Sequence, residues 1–211
     1  MYKSILLVVA IIFLSSYSSD VPNQNEKVIQ AAQKGLTAYL NMIPSGMEDR
    51  YGFSAGDNLT KCTVGKPYRV ITPAKIFYNS QVIPNSNTSP LVMVTNEWRV
   101  PVILNGTYRT LLTVAADHDN YQVVDLGGAV LSQELQQISA NAGTDDNFFI
   151  MRVYPLAADF FVDSRSDVSQ DVYFPLSSAM MAMPSLSKQK SYTFNDVLSL
   201  VKSTLDQQAK N

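Results

Sequence analysis

The feature that most constrains the fold is Asn105-Gly106, which separates two β-rich runs, Trp98 to Leu104 and Tyr108 to Ala115. Such a pair closes a type I′ turn, because that turn needs positive φ at both central positions and Asn and Gly tolerate it best. The flanking strands are then antiparallel neighbours. Asp117-His118-Asp119-Asn120 makes a second turn into Tyr121 to Leu126, so residues 97 to 126 are predicted to form a three-stranded meander. Pro101 has no amide donor, which predicts that its strand lies at an edge or carries a bulge.

Helical patterns surround this centre. Val28, Ile29, Ala32, Leu36, Tyr39, Leu40 and Ile43 recur at three- and four-residue steps and predict a first helix from Glu26 to Ile43, stopped by Pro44 and Gly46. Gly127-Gly128 ends the meander and opens a second helix, Ala129 to Ala140, with Val130, Leu131, Leu135 and Ile138 on one face. Thr193 and Asp196 have capping-box spacing, Tyr192 and Val197 stand at the staple positions, and Val197, Leu198, Val201 and Leu205 form the stripe of a last helix. Short strands are expected at Pro67 to Ile71, Lys75 to Tyr78, Leu91 to Val94, Phe148 to Tyr154, Ala157 to Val162 and Val172 to Phe174, with a helical turn from Ser177 to Met183. Hairpin links in place of alternating crossovers make this an α+β fold. Its sheet is mainly antiparallel, with the meander at its centre and N-terminal, middle and C-terminal helices flanking it. The first two helices are expected to cover one face.

The N-terminus reads Met1-Tyr2-Lys3-Ser4, then Ile5 to Leu14 without a polar residue, then small residues. That is the layout of a signal peptide over residues 1 to 18, with Ser16 and Ser18 before the cut. The apolar run is shorter than the ~20 residues that span a bilayer. Leu14 to Asp20 resembles a lipoprotein box, but Tyr17 stands where the lipid-bearing Cys is required, so no lipid is attached there. Residues 19 to 25 are expected to form a flexible lead, and residues 26 to 208 a single α+β domain. Export outside the cytoplasmic membrane follows, with no membrane span in the mature chain.

Hydrophobic residues make up 46% of the chain and charged residues 16%, so it can build a core and is not of disordered composition. A net charge of -2 with no basic stripe argues against nucleic acid as a partner. Cys62 is the sole cysteine, so an internal disulfide is excluded and burial of the thiol is expected.

Four pieces carry a resemblance. They are Val64-Gly65-Lys66-Pro67-Tyr68-Arg69-Val70, Glu97-Trp98-Arg99-Val100-Pro101-Val102, Leu111-Leu112-Thr113-Val114, and Val124-Asp125-Leu126-Gly127-Gly128-Ala129 with Leu131 and Glu134-Leu135. Over Gly52 to Ile138 the chain resembles uncharacterised secreted bacterial proteins. The resemblance implies export and a bacterial source, and it implies no chemistry.

Candidate sites are few. Cys62 and His118 are the only thiol and imidazole. A nucleophilic pair would need them in hydrogen-bond reach; a buried thiol and a solvated turn histidine are the expected reading. One Cys and one His exclude a zinc site built from those residues, and no cofactor is expected. Gly127-Gly128 before a helix could cradle an anion, though tight packing is the commoner cause. Asp117, Asp119 and Asn120, and the set Asp163, Asp167 and Asp171, lack the spacing and the Gly of a calcium loop and read as turn residues. Phe148, Phe149, Phe160, Phe161, Tyr173, Phe174, Met180, Met181 and Met183 could line an apolar groove, but the doublets put a ring on each sheet face and favour core. Trp98, flanked by Val100 and Val102 on its own face, is expected to be structural. The expected class is a binding or interaction module for a peptide, protein or small apolar ligand, without catalytic, metal or cofactor residues. The alternatives are a hydrolase using carboxylates or Cys62 and His118, and a peptide-binding inhibitor or chaperone-like domain that offers its sheet edge.

Overall fold

A computed structural model describes residues 21–74, 92–140, 147–164 and 170–210. The expected signal peptide, the strand expected at Lys75 to Tyr78, and Asp167 lie outside the described residues. The described elements confirm the α+β class. They run α1 (Val21–Leu40), β1 (Thr63–Val64), β2 (Tyr68–Pro73), β3 (Val92–Leu104), β4 (Thr107–Asp117), β5 (Asn120–Gly127), α2 (Ala129–Ser139), β6 (Phe148–Val153), β7 (Ala158–Asp163), β8 (Val172–Pro175), α3 (Ser177–Ala182) and α4 (Phe194–Gln208). The sheet order is β5-β4-β3-β2-β6-β7-β8, with β1 also paired to β3. Among the described strands every pairing is antiparallel except β2 with β6.

The meander forms as expected. Asn105 and Gly106 both take positive φ, 53° and 76°, as a type I′ turn requires. The runs expected at Leu91 to Val94 and Trp98 to Leu104 are one strand, β3. That strand is interior, which corrects the edge alternative for Pro101. The Gly65 amide donates to the Pro101 carbonyl at 2.8 Å. In a strand, N and O of one residue point to the same side, so the missing donor of Pro101 faces the break between β1 and β2, where no ladder continues. A register shift between Val102 and Ile103 supplies the expected bulge on the β4 side.

Two further corrections concern the helices. The lead expected over residues 19 to 25 is helical from Val21, because Pro22 sits in a first turn whose amides have no helical partner anyway. And α1 and α2 lie on opposite faces of the sheet. Val28, Ala32, Leu36 and Leu40 of α1 pack with Trp98, Val100, Val102, Leu112 and Val114. Leu135 of α2 packs with Leu111, Tyr68, Ile150, Phe161 and Leu176. Leu111 and Leu112 are sequential, so their side chains mark the two faces. On the α1 side, α4 closes the other half of the sheet, with Val197, Leu198 and Val201 against Met151, Phe160, Val162 and Tyr173.

The aromatic doublets divide as expected: Phe148 and Phe161 join the α2 cluster, Phe149 and Phe160 the α4 cluster. Met183 is buried and Met181 is exposed. All of the set except Met181 belong to the core clusters or pack against them. Trp98 is 2% exposed, with the Arg69 guanidinium 5.0 Å from its ring and Tyr121 at 5.5 Å.

Candidate functional site

Cys62 and His118 do not meet. Cys62 adjoins Thr63, which pairs with Ile103, and Ile103 pairs with Tyr108 near the start of β4. His118 follows the far end of that strand, roughly 30 Å away at about 3.4 Å per residue. Burial raises the Cys62 thiol pKa, aided by Asp57 and opposed by Arg109, so the thiol is held protonated. His118 is exposed and its Nδ1 lies 2.8 Å from Asp117. Asp119 pairs with Lys27 of α1 at 3.0 Å. No group of three metal-ligating side chains occurs among the described residues.

Gly127-Gly128 has a different cause from tight packing. A Cβ at Gly127 would meet nothing within 4 Å, and one at Gly128 would make only ordinary contacts, 3.5 Å to Leu111 and 3.8 Å to Leu131. Gly128 is required because it takes φ 76° at the N-cap of α2. Packing demands glycine instead at Gly52, where a Cβ would strike the Arg109 carbonyl oxygen.

The polar groups that do converge lie elsewhere. On β3, Glu97 and Arg99 alternate with Trp98 and so point to the α2 side of the sheet. Arg99 pairs across the ladder with Thr113 and donates to its hydroxyl through Nη1. Its Nη2 lies 3.9 Å from Glu97. On the other side of β2, Arg152 of β6 stands directly opposite Asp159 of β7. Arg152 Nη1 donates to both Asp159 carboxylate oxygens at 3.1 Å. Ser178 of α3 completes the Asp159 shell: its hydroxyl accepts from the Asp159 amide at 2.9 Å and donates to Oδ2 at 3.1 Å.

Tyr154 joins the two pairs. It begins the 3-10 turn Tyr154–Leu156 after β6, and its hydroxyl reaches Glu97 at 3.4 Å. The Arg152 guanidinium lies 5.8 Å from its ring centre. β3 and β6 are next-but-one neighbours separated by β2, a gap of ~10 Å that only long side chains cross. Arg, Glu and Tyr stand at those positions. The turn is anchored by Leu156, buried among the α4-side residues, and closed by Ala157 at φ 48°. The other described non-glycine residues with positive φ, Asn105 and His118, sit in hairpin turns and have polar side chains. Ala157 carries its strain two residues from Asp159.

Burial sets the electrostatics. Asp159 is 5% exposed, and desolvation raises its pKa above the ordinary carboxylate value against the opposing pull of Arg152, Ser178 and Arg99. No second carboxylate contributes to that rise, so this is not a pair of mutually perturbed acids. Burial, then Glu97, raises the Tyr154 hydroxyl, with Arg99 and Arg152 opposing. The cluster therefore holds two guanidiniums, two carboxyl groups and a neutral phenol. It contains neither imidazole nor thiol. Its chemistry is hydrogen bonding and charge pairing.

The sheet edges are blunted. On β5 a register shift leaves Val124 as an extra residue, Asp125 adds a charge, and Tyr39 of α1 donates to the Val123 carbonyl at 2.7 Å. On β8, Tyr173 exchanges both backbone hydrogen bonds with Tyr192 at 2.9 Å, and the strand ends at Pro175.

Sequence reasoning singled out neither Arg152, Tyr154 nor Asp159. One signal was present: Arg152 interrupts an otherwise apolar strand, Phe-Phe-Ile-Met-Arg-Val, and Asp159 directly precedes the apolar run Phe-Phe-Val of β7. A charge in the middle of a buried strand needs a partner. That β2 passes beneath the cluster is set by the parallel β2–β6 pairing, which no local pattern announces. No helix among the described residues is long and apolar enough to cross a membrane. Comparison with family models, curated proteins and solved structures finds no match to this chain, so its site is read from its own geometry.

Proposed function

We propose that the chain is an exported, non-catalytic binding module that works outside the cytoplasmic membrane, and that its ligand seats on the Arg99–Arg152–Tyr154 cluster. The observation that carries this reading is the meeting of side chains from β3, β6 and the turn after β6 above β2, with Tyr154 48% exposed beside them. A network serving stability alone has no need of an exposed aromatic ring joined to a carboxylate and to a partly exposed arginine. The Sec-type N-terminus supports export, and α1 begins three positions beyond the proposed cut.

Saturation-transfer NMR with a chemically mixed fragment set tests the binding. Fragments that contact the protein should lose that contact in Arg99→Ala and Tyr154→Ala. Contacts that persist unchanged in both variants would move the site elsewhere.

One observation favours a second reading. Asp159 has a raised pKa and touches the Ser178 hydroxyl, as a carboxyl acid in a hydrolase would. Turnover of chromogenic esters or fluorogenic peptides that vanishes in Asp159→Asn would replace the binding reading with this one. The edge-binding alternative has less support, since both edge strands are blunted.

A further inference from the structure

The cluster above β2 has hydrogen-bond donors left over, and their geometry identifies a ligand group. Arg152 spends Nη1 on Asp159 and has no partner for Nε or Nη2 among the described residues. Arg99 spends Nη1 on Thr113, while its 3.9 Å approach to Glu97 is too long for a hydrogen bond. The two guanidinium side chains are neither sealed nor fully open, at 27% and 17% exposure. Each therefore keeps part of its planar fork turned to solvent, and planar forks of N–H donors match carboxylates.

Charge narrows the class further. Glu97 and Asp159 already offset the two arginines, so the cluster carries no surplus positive field when both acids are ionised. A monoanion that fits the fork gains two charge-assisted hydrogen bonds there against a single Glu97 repulsion; a dianion meets that repulsion at about twice the strength. The half-exposed Tyr154 ring borders the same donors and offers a face to an apolar group attached to that anion.

We propose that Arg99 and Arg152 recognise a carboxylate group on a small ligand, with the Tyr154 ring packing against the carbon skeleton that bears it. This inference rests on the binding reading above and names the ligand class for that same site.

Titration of the full mature chain with acetate, phenylacetate, inorganic phosphate and n-butylammonium tests it, followed through backbone amide and arginine Nε–H resonances. Acetate and phenylacetate should shift Arg99, Arg152 and Tyr154 saturably, with phenylacetate tighter. Arg152→Lys keeps the charge and loses the fork, and should weaken phenylacetate roughly tenfold. If Arg152 variants do not fold, because Asp159 is left unpaired, Arg99→Lys gives the same comparison at a residue whose hydrogen bond goes to a hydroxyl and leaves no buried carboxylate behind. Phosphate or n-butylammonium shifting these residues while both carboxylates do not would overturn the carboxylate assignment and leave the binding site standing. No probe shifting them, with fragments also silent there, would overturn both.

Discussion

At the scale of single residues, the same side-chain type plays opposite parts according to what surrounds it. Trp98 and Tyr154 are both large aromatics on or beside the sheet, yet one is 2% exposed and the other 48%. Trp98 faces α1, where Val100, Val102 and Leu112 complete its surroundings. Trp98→Ala should cost about 3 to 5 kcal/mol in chemical denaturation, and the native indole should emit at short wavelength and resist acrylamide. Red-shifted, easily quenched emission would contradict that placement. Gly52 is a second position where one atom decides. Its φ of 79° disfavours any L side chain, and a Cβ would strike the Arg109 carbonyl. Gly52→Ala should therefore lose about 2 kcal/mol or more, measurable as a lower denaturation midpoint with unchanged slope. Gly46 has a similar φ of 82° but open space around it, so Gly46→Ala should lose about half as much.

At the scale of elements, what was legible in sequence was what a few neighbouring residues decide. The Asn105-Gly106 turn, the glycine opening of α2 and the cap of α4 were all visible, because turn and cap chemistry is local. In α4 the Thr193 hydroxyl accepts from the Asp196 amide at 3.3 Å, and the Asp196 carboxylate accepts from the Thr193 amide at 3.0 Å. Thr193→Ala should cost about 1 kcal/mol by chemical denaturation. The Thr193 hydroxyl, which donates to Asp196 Oδ2 at 2.7 Å, and then the Thr193 amide lower the Asp196 pKa. Its contribution to stability is present above the ordinary Asp value and is lost as pH falls through the lowered one, so Thr193→Ala should matter less in strong acid. What was not legible was set by partners far along the chain. The periodicity of α1 and α2 marks an apolar stripe on each and is silent about which sheet face receives it. Pro101 signals an edge or a bulge; the bulge is present, and the gap between β1 and β2 satisfies the edge constraint inside the sheet. The candidate site failed to show for the same reason: Arg99, Arg152 and Asp159 belong to three strands whose order depends on the parallel β2–β6 pairing.

At the scale of the whole molecule, the sheet is closed on one side by α1 and α4, while α2 packs on the other over Tyr68, Leu111 and Ile150. The polar cluster therefore occupies a sheet surface whose hydrophobic strands would otherwise be expected to carry apolar residues, and Asp159 is its most buried member. Its folded-state pKa lies above the ordinary value of 3.8, with burial as the leading cause. The sign follows from proton uptake. Between 3.8 and the raised value the native protein holds a proton that the unfolded chain has released, so stability falls as pH rises through that window. Above it the ionised carboxylate persists because Arg152 and Ser178 compensate part of its desolvation. Asp159→Asn removes the titration while keeping an acceptor for Ser178, and Arg152, 27% exposed, retains access to water. Denaturation midpoints of both proteins between about pH 3 and pH 7 check this. The native protein should lose stability relative to Asp159→Asn as pH rises, most steeply just above the ordinary Asp value. Parallel profiles for the two proteins would mean that Asp159 titrates normally, and that the cluster above β2 is open enough to water for burial to play no part in its chemistry.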